Sequence, residues 1–265
     1  MTPSLISRIA ETAPLLTTLA PLRRRYAPAL AGYGDPGHIA LTFDDGPDPA
    51  STPQFLDALS TLDVRATFFL LGSMLAKAPW LGRELTGAGH ELAVHGWDHR
   101  SVALRGELST YRGLARTRDL IGEVTGTVPV WYRPPYGVLT RAASTAARRA
   151  GLTPILWTAW GRDWEASARP ESVRRRVRAT LTGGGTILLH DSDCTSAPRS
   201  WVATLRALPG IVADCRDLGA TVGPLAEHSA LAHPGAPADP GAGPHRPLAE
   251  VRPLAENRPL AGPPA

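Results

Sequence analysis

His38-Ile-Ala-Leu-Thr-Phe-Asp-Asp-Gly-Pro47, followed by Thr52-Pro-Gln-Phe-Leu-Asp-Ala-Leu-Ser-Thr-Leu62, sets the pattern of the chain. An apolar run of strand length meets a polar turn and then a stretch with helical spacing, which is one βα unit. Ser51 or Thr52 is placed to cap the helix, and Pro53 suits its first turn. The same alternation recurs downstream. Strands are predicted at His38–Phe43, Arg65–Leu71, Glu91–His95, Val130–Arg133, Thr153–Trp160, Thr186–His190 and Thr221–Leu225. Helices are predicted at Thr52–Leu62, Ala76–Ala88, Glu107–Thr125, Thr140–Ala150, Pro170–Leu181 and Arg199–Leu208, several of them followed by glycine. Repeated βα units imply parallel strands, and the expected fold is a single-domain irregular (β/α)7-8 barrel in the α/β class.

Outside that pattern the chain changes character. Residues 1–36 read as an N-terminal extension, 37–228 as the catalytic domain and 229–265 as a low-complexity, disordered tail. In the tail His245-Arg-Pro-Leu-Ala-Glu, Val251-Arg-Pro-Leu-Ala-Glu and Asn257-Arg-Pro-Leu-Ala-Gly repeat in a Pro-rich background that precludes a regular ladder. An apolar content of 43% with 20% charged residues is that of a globular enzyme, and no apolar run is long enough to span a bilayer. The net charge of +4 is spread over several predicted helices, so nucleic acid is not expected as a partner. Arg174-Arg175-Arg176 with Arg178 reads as a solvated helix face. Two cysteines, Cys194 and Cys215, make no disulfide framework. Arg23-Arg24-Arg25 follows the apolar segment Pro14–Ala20, the reverse of a secretory signal, and the expectation is a cytoplasmic protein. Nothing here sets the oligomeric state.

Three tempting motifs fail on context. Gly32-Tyr-Gly-Asp-Pro-Gly37 has the dinucleotide spacing but precedes a strand, whereas a phosphate-binding turn follows one. His90-Glu-Leu-Ala-Val-His95 has one residue too many for a helical zinc-protease motif, and Gly183-Gly-Gly-Thr186 lacks the lysine of a phosphate loop. No Gly-x-Ser-x-Gly elbow occurs.

The informative polar residues lie at strand ends. Asp44-Asp45 follow Phe43, His95 ends the Leu92-Ala-Val strand, Arg133 ends the Val130 strand, Asp163 follows Trp160, and His190-Asp191 end Ile187-Leu-Leu. In a parallel barrel all these ends open on one face, where the loops build the active site. His95 and His99, four apart in a helical turn or tight loop, together with one carboxylate make a three-ligand zinc site with an open position. Adjacent carboxylates on an extended segment point to opposite sides, so Asp44 and Asp45 are expected to divide the work, one on the metal and one taking a proton. Taken singly, each motif also has a plain structural reading, as a turn, a rigid loop or a polar strand end. Their joint placement is what points to chemistry.

In order and in spacing these residues resemble the polysaccharide deacetylase family, carbohydrate esterase family four, which includes the homology domain of nodulation-type chitooligosaccharide deacetylases. Thr42-Phe-Asp-Asp-Gly-Pro47, His95-Gly-Trp-Asp-His99, Arg133-Pro-Pro-Tyr136, Asp163-Trp164 and Leu188-Leu-His190-Asp191 look like its five motifs, between about His38 and Leu225. The resemblance implies a divalent metal, zinc or else cobalt or another divalent ion, on Asp45, His95 and His99. It implies Asp44 as base and His190 as acid, with Arg133 orienting Asp44 and Asp163 supporting His190 or the Arg133 network. The Tyr136 backbone N–H would meet the oxyanion, Pro134 would belong to the same substrate-binding set, and Trp164 and Leu188 would line the pocket for the acetyl methyl. Trp160 stands where the family's fourth motif commonly begins with Asp, and an altered acceptor pocket is the expected consequence. The implied substrate is an acetylated amino sugar, as polysaccharide, oligosaccharide or small glycoconjugate. The alternatives are an O-acetyl esterase, an intracellular small-molecule N-deacetylase, and a metal- or sugar-binding protein without turnover.

Overall fold

Along each strand successive side chains take opposite faces of the sheet, and in this chain that rule separates core from chemistry. The computed structural model describes residues 20–228. Its strands are β1 (His38–Asp44), β2 (Thr67–Leu71), β3 (Glu91–Gly96), β4 (Trp131–Tyr132), β5 (Thr153–Pro154), β6 (Ala159–Trp160), β7 (Thr186–His190) and β8 (Thr221–Gly223). They form one sheet in the order β5-β4-β3-β2-β1-β7-β6, with β8 on β1, and every pairing is parallel. The result is a curled half-barrel of the expected α/β type.

On the outer face Ile39, Leu41, Phe43, Phe68, Leu70, Val94, Tyr132, Ile187 and Leu189 join one buried cluster with the helices. The neighbouring positions face inward, where Ala40, Phe69, Ala93 and Trp131 form a smaller apolar floor with Ile155 and Leu225. The same inward set continues upward into Thr42, Asp44, His95, Arg133 and His190. One period-2 pattern therefore builds both the core and the site.

The helices are α1 (Ala20–Tyr26), α2 (Pro28–Ala31), α3 (Thr52–Leu62), α4 (Gly72–Leu75), α5 (Pro79–Gly87), α6 (Glu107–Thr125), α7 (Arg141–Arg149), α8 (Pro170–Thr180) and α9 (Trp201–Asp217). The helix expected over Ala76–Ala88 is α5 and begins only at Pro79, which opens it at a position where its missing N–H costs nothing, and the short α4 before it falls outside the expected span. The helix expected to end at Leu208 runs on to Asp217 through Pro209, since Ile211, Val212 and Cys215 continue the buried face. Neither Ser51 nor Thr52 caps α3. Both hydroxyls turn to Asp191, Ser51 to its carbonyl at 2.5 Å and Thr52 to its carboxylate at 2.6 Å.

The strand expected over Thr153–Trp160 is a strap. It pairs with β4 at its start and with β7 at its end, so the chain itself crosses the opening that no ladder closes. Residues before β1 are tied to this region: Leu156 N–H donates to Leu30 O (2.9 Å), Thr186 Oγ1 to Gly32 O (2.7 Å) and Gly34 N–H to Gly184 O (2.8 Å). Gly32 sits at φ 87° with Thr186 Oγ1 2.9 Å from where a Cβ would stand, so glycine is required there. At the other end of the barrel the chain after β8 closes over β2 and β3. Leu225 N–H donates to Thr67 Oγ1 (2.8 Å) and Ala226 N–H to Glu91 Oε2 (3.0 Å). Within the arginine run Arg174 is not merely solvated, since it makes a bidentate pair from α8 to Asp214 of α9 at 2.8 Å. No helix among the described residues is long and apolar enough to cross a membrane. The tail assigned to 229–265 lies outside the described residues.

Candidate active site

Asp44 closes β1 and is buried, with Oδ1 accepting from Arg133 Nη1 at 2.7 Å. Arg133 has no exposed surface. Nη1 also donates to Thr42 Oγ1 (2.8 Å) and Nη2 to Leu156 O (3.2 Å), and its guanidinium lies 4.0 Å over the Phe69 ring. A guanidinium held in this way aims Asp44 and compensates its burial.

Asp45 leaves the strand at φ 79°, a left-handed conformation rare outside glycine. The expectation that the two carboxylates diverge to opposite sides fails for this reason, because the strand ends at Asp44 and the turn brings Asp45 into the same cleft. His95 Nε2 lies 3.4 Å from Asp45 Oδ1 and 3.7 Å from Asp44 Oδ2, and His99 Nε2 lies 3.3 Å from Asp45 Oδ1. His95 is the extra residue of a register shift, between Val94 paired with Leu70 and Gly96 paired with Leu71. Such a bulge re-aims a side chain. Gly96 at φ 115° then turns the chain into a tight loop that returns His99 to the site.

The three residues offer ligand atoms within 4.8 Å of one another. Asp45 Oδ1 is buried with no hydrogen-bond partner, while Oδ2 accepts from Thr195 Oγ1 at 2.6 Å. A buried carboxylate oxygen without a donor, faced by two imidazoles, fits a cation. The electrostatics agree: burial opposes ionisation of Asp45, but the facing imidazole of His95, with His190 and His99, holds its carboxyl well below the usual range. Burial, opposed by Asp45, lowers the pKa of His99, which favours the neutral imidazole that metals bind. His95 Nδ1 lies 2.9 Å from Arg133 O, so this nitrogen is the donor and Nε2 is free to ligate.

Opposite this set stands His190 at the end of β7. Its Nδ1 lies 2.9 Å from Asp163 Oδ1, and its backbone N–H donates to Asp163 Oδ2 at 2.8 Å. Thr204 Oγ1 of α9 donates to the same oxygen at 2.7 Å. Asp163 thus serves His190, while Arg133 serves Asp44. Burial by itself would lower the His190 pKa, but Asp163, with Asp45 and Asp44 behind it, carries it up to about 10.

All eleven residues singled out from sequence meet around this cleft. A cavity of about 240 Å³ is lined by Asp44, Asp45, His95, His99, Pro134, Tyr136, Trp164, Leu188 and His190. Arg133 and Asp163 lie behind its walls. Tyr136, at φ 60°, lays its exposed ring against His99 with centroids 4.6 Å apart. Sequence reasoning missed Trp157, Thr195 and Thr204, single residues outside any motif that only the fold brings in, and it gave no role to Thr42, which lies in the first motif and receives Arg133. Cys194 is exposed, and its thiol donates to Asp45 O at 3.5 Å.

The polysaccharide deacetylase family model matches residues 31–155. The chain is 33% identical over 208 residues to chitooligosaccharide deacetylase of a Bradyrhizobium strain, covering 74% of this chain and 93% of the relative. It is 36% identical over 159 residues to peptidoglycan-N-acetylglucosamine deacetylase PgdA of Listeria monocytogenes, over 60% of this chain and 33% of the relative. The chain therefore spans about a third of that protein's length. Among solved structures, peptidoglycan deacetylase PdaC of Bacillus subtilis superposes with a TM-score of 0.64 at 30% identity, covering 74% of this chain and 93% of that one.

Proposed function

Because the chain belongs to the polysaccharide deacetylase family, we propose that it is a metal-dependent hydrolase that removes the acetyl group from an N-acetylated amino sugar. One observation carries this reading. The unpartnered Asp45 Oδ1 with two imidazoles shares a single cavity with two separately supported groups, Asp44 on Arg133 and His190 on Asp163.

Asp45, His95 and His99 would hold the ion, and two imidazoles with one carboxylate favour zinc. A divalent ion there supplies Lewis acidity towards the acetyl oxygen and acidifies water. The chain's own residues do the rest. Asp44, with Oδ1 committed to Arg133, accepts the proton of the attacking water at Oδ2 while the water oxygen bonds to the acetyl carbon. The Tyr136 N–H donates to the oxyanion as it forms, and such preorganised donors are worth a few kcal/mol. An amine leaves poorly unless protonated, so His190 delivers its Nε2 proton to the nitrogen as the C–N bond breaks, releasing acetate and the free amino sugar. Leu188 and Trp164, the latter with its ring 5.5 Å from His190, close the apolar side against the acetyl methyl.

Acetate release from chitooligosaccharides, peptidoglycan fragments and acetylxylan by protein loaded with zinc or cobalt is the test. Activity on the N-acetyl substrates is expected, with Asp44→Asn lowering kcat by about 10²–10⁴. Protein that releases acetate from none of them is a binding protein, and release from acetylxylan alone makes it an esterase.

A further inference from the structure

Asp191 follows His190 off β7, yet it does not line the acetyl cavity. It is fully buried and draws together parts of the chain that are far apart in sequence. Its backbone N–H points to Asp44 O at 3.4 Å, its carbonyl accepts from Ser51 Oγ at 2.5 Å, and its Oδ2 accepts from Thr52 Oγ1 at 2.6 Å.

Stability does not account for this arrangement. Asp191 Oδ1 is buried with no hydrogen-bond partner among the described residues, and a buried acceptor left without a donor costs free energy. Ser51 and Thr52, both buried, leave α3 without a side-chain cap, although hydroxyls at a helix start commonly satisfy its orphan N–H groups. Local rules broken together at one place mark a site where something other than stability is being served.

What the carboxylate bears on is the turn that carries Asp45. A Cβ on Gly46 would fall 2.6 Å from Asp191 Oδ1 and nearer still to Oδ2, so Asp191 fills the room that any other residue at 46 would need. Gly46 has no left-handed φ, so it is Asp191 and not the backbone conformation that demands glycine there. Just before it, Asp45 is held at φ 79°, a conformation that persists in a non-glycine residue only where the surroundings fix it. Gly46 O accepts from Leu71 N–H at 2.9 Å, and Thr195 Oγ1 holds Asp45 Oδ2. These tie the turn to β2 and to the loop after β7, and Asp191 closes the remaining side.

We propose that Asp191 is a positioning residue for the candidate metal set: its carboxylate is the wall that fixes the Asp45-Gly46 turn and so keeps Asp45 Oδ1 aimed at His95 and His99. The proposal rests on the metal-dependent reading above and adds to it a residue that touches neither ion nor substrate.

Zinc affinity of the full-length protein, read by competition with a chromophoric chelator well below the melting temperature of each variant, tests it. Asp191→Ala removes the wall and Gly46→Ala pushes against it, and each is expected to weaken zinc binding about 10–100-fold. Asp191→Asn keeps the bulk against Gly46 and an acceptor for Thr52, and is expected to retain most of the affinity. Gly46→Ala combined with Asp191→Ala is expected to bind zinc more tightly than Gly46→Ala alone, because the new methyl group then has room. A merely structural role would lower the melting temperature of the metal-free protein without this pattern in zinc affinity. Wild-type affinity in Asp191→Ala, a loss in Asp191→Asn as large as in Asp191→Ala, or no rescue in the double variant overturns the proposal and leaves the metal reading intact. If Asp191→Ala does not fold, the other two single variants decide: zinc binding weakened in Gly46→Ala and kept in Asp191→Asn supports the proposal, and any other pair of results overturns it. Wild-type protein that binds no zinc overturns the metal reading and this proposal with it.

Discussion

Each side chain proposed to react is held by one that is not. Asp163 gives His190 a buried anion, so replacing it by the neutral Asn removes the charge that favours the imidazolium. Asp163→Asn is expected to lower kcat about 10²-fold. Because the His190 pKa falls, the alkaline limb of the kcat profile moves to lower pH, and that direction separates loss of charge from general damage. A pH profile of the metal-loaded variant measures it. Thr195 plays the corresponding part for the candidate metal set, since its hydroxyl occupies Asp45 Oδ2 and leaves Oδ1 available to an ion. Thr195→Val is expected to weaken zinc binding about 10–100-fold, read by competition with a chromophoric chelator, and to leave thermal stability of the metal-free protein nearly unchanged. The proposed catalytic pair and the candidate ligands were legible because they fall in compact motifs. Thr195 and Thr204 were not, since a lone threonine in a loop or helix carries no local mark of what it will face.

Among the elements, strand ends position the chemistry and helices settle the stability. α9 holds a proline in its interior, which removes a backbone donor and crowds the preceding turn, at a cost of up to about 3 kcal/mol. The helix persists because Leu208, Ile211, Val212 and Cys215 are buried on either side of it. Pro209→Ala is therefore expected to raise the unfolding free energy by about 1–3 kcal/mol with activity unchanged, measured by urea denaturation. Periodicity placed α3 and α6 at their observed limits, because a helix whose burial follows its own 3.6-residue repeat announces itself. It failed where tertiary contact decides the boundary: at Pro209, at the strap over 153–160, and at Ser51, where the acceptor that wins the hydroxyl is 140 residues away.

Over the whole molecule the barrel is closed at its lower end by a buried pair of histidines, His38 at the start of β1 and His228 beyond β8, with Nδ1 atoms 2.7 Å apart. One of them must donate and the other accept, so the two Nδ1 atoms cannot both hold a proton and the two rings cannot both be charged. Burial lowers both pKa values; for His228, His38 adds to the effect, Gly184 O and Asp35 oppose it, and the value falls to about 4. Glu227, 3.7 Å from His38 Nε2 and paired with Arg65, is the nearby acid. For a base with a depressed folded pKa, the unfolded chain binds the proton first. The stabilising contribution is therefore full above about pH 6.5 and is lost as pH falls towards 4. His90, also lowered to about 4 by burial and by Arg65, adds to the same window. The expected outcome is a falling melting temperature between pH 6.5 and 4, with the slope reduced in His228→Asn; a pH-independent melting temperature there would rule the pair out. By itself the sequence determined the βα alternation, the parallel sheet and the family motifs, because strand and helix periodicities and strand-end polar residues are local properties. Tertiary structure alone decided that Asp44 and Asp45 face one cleft, that β5 and β6 sit on opposite sheet edges, and that His38 meets His228. These depend on a left-handed turn and on residues far apart in the chain, and neither leaves a trace in a local window of residues.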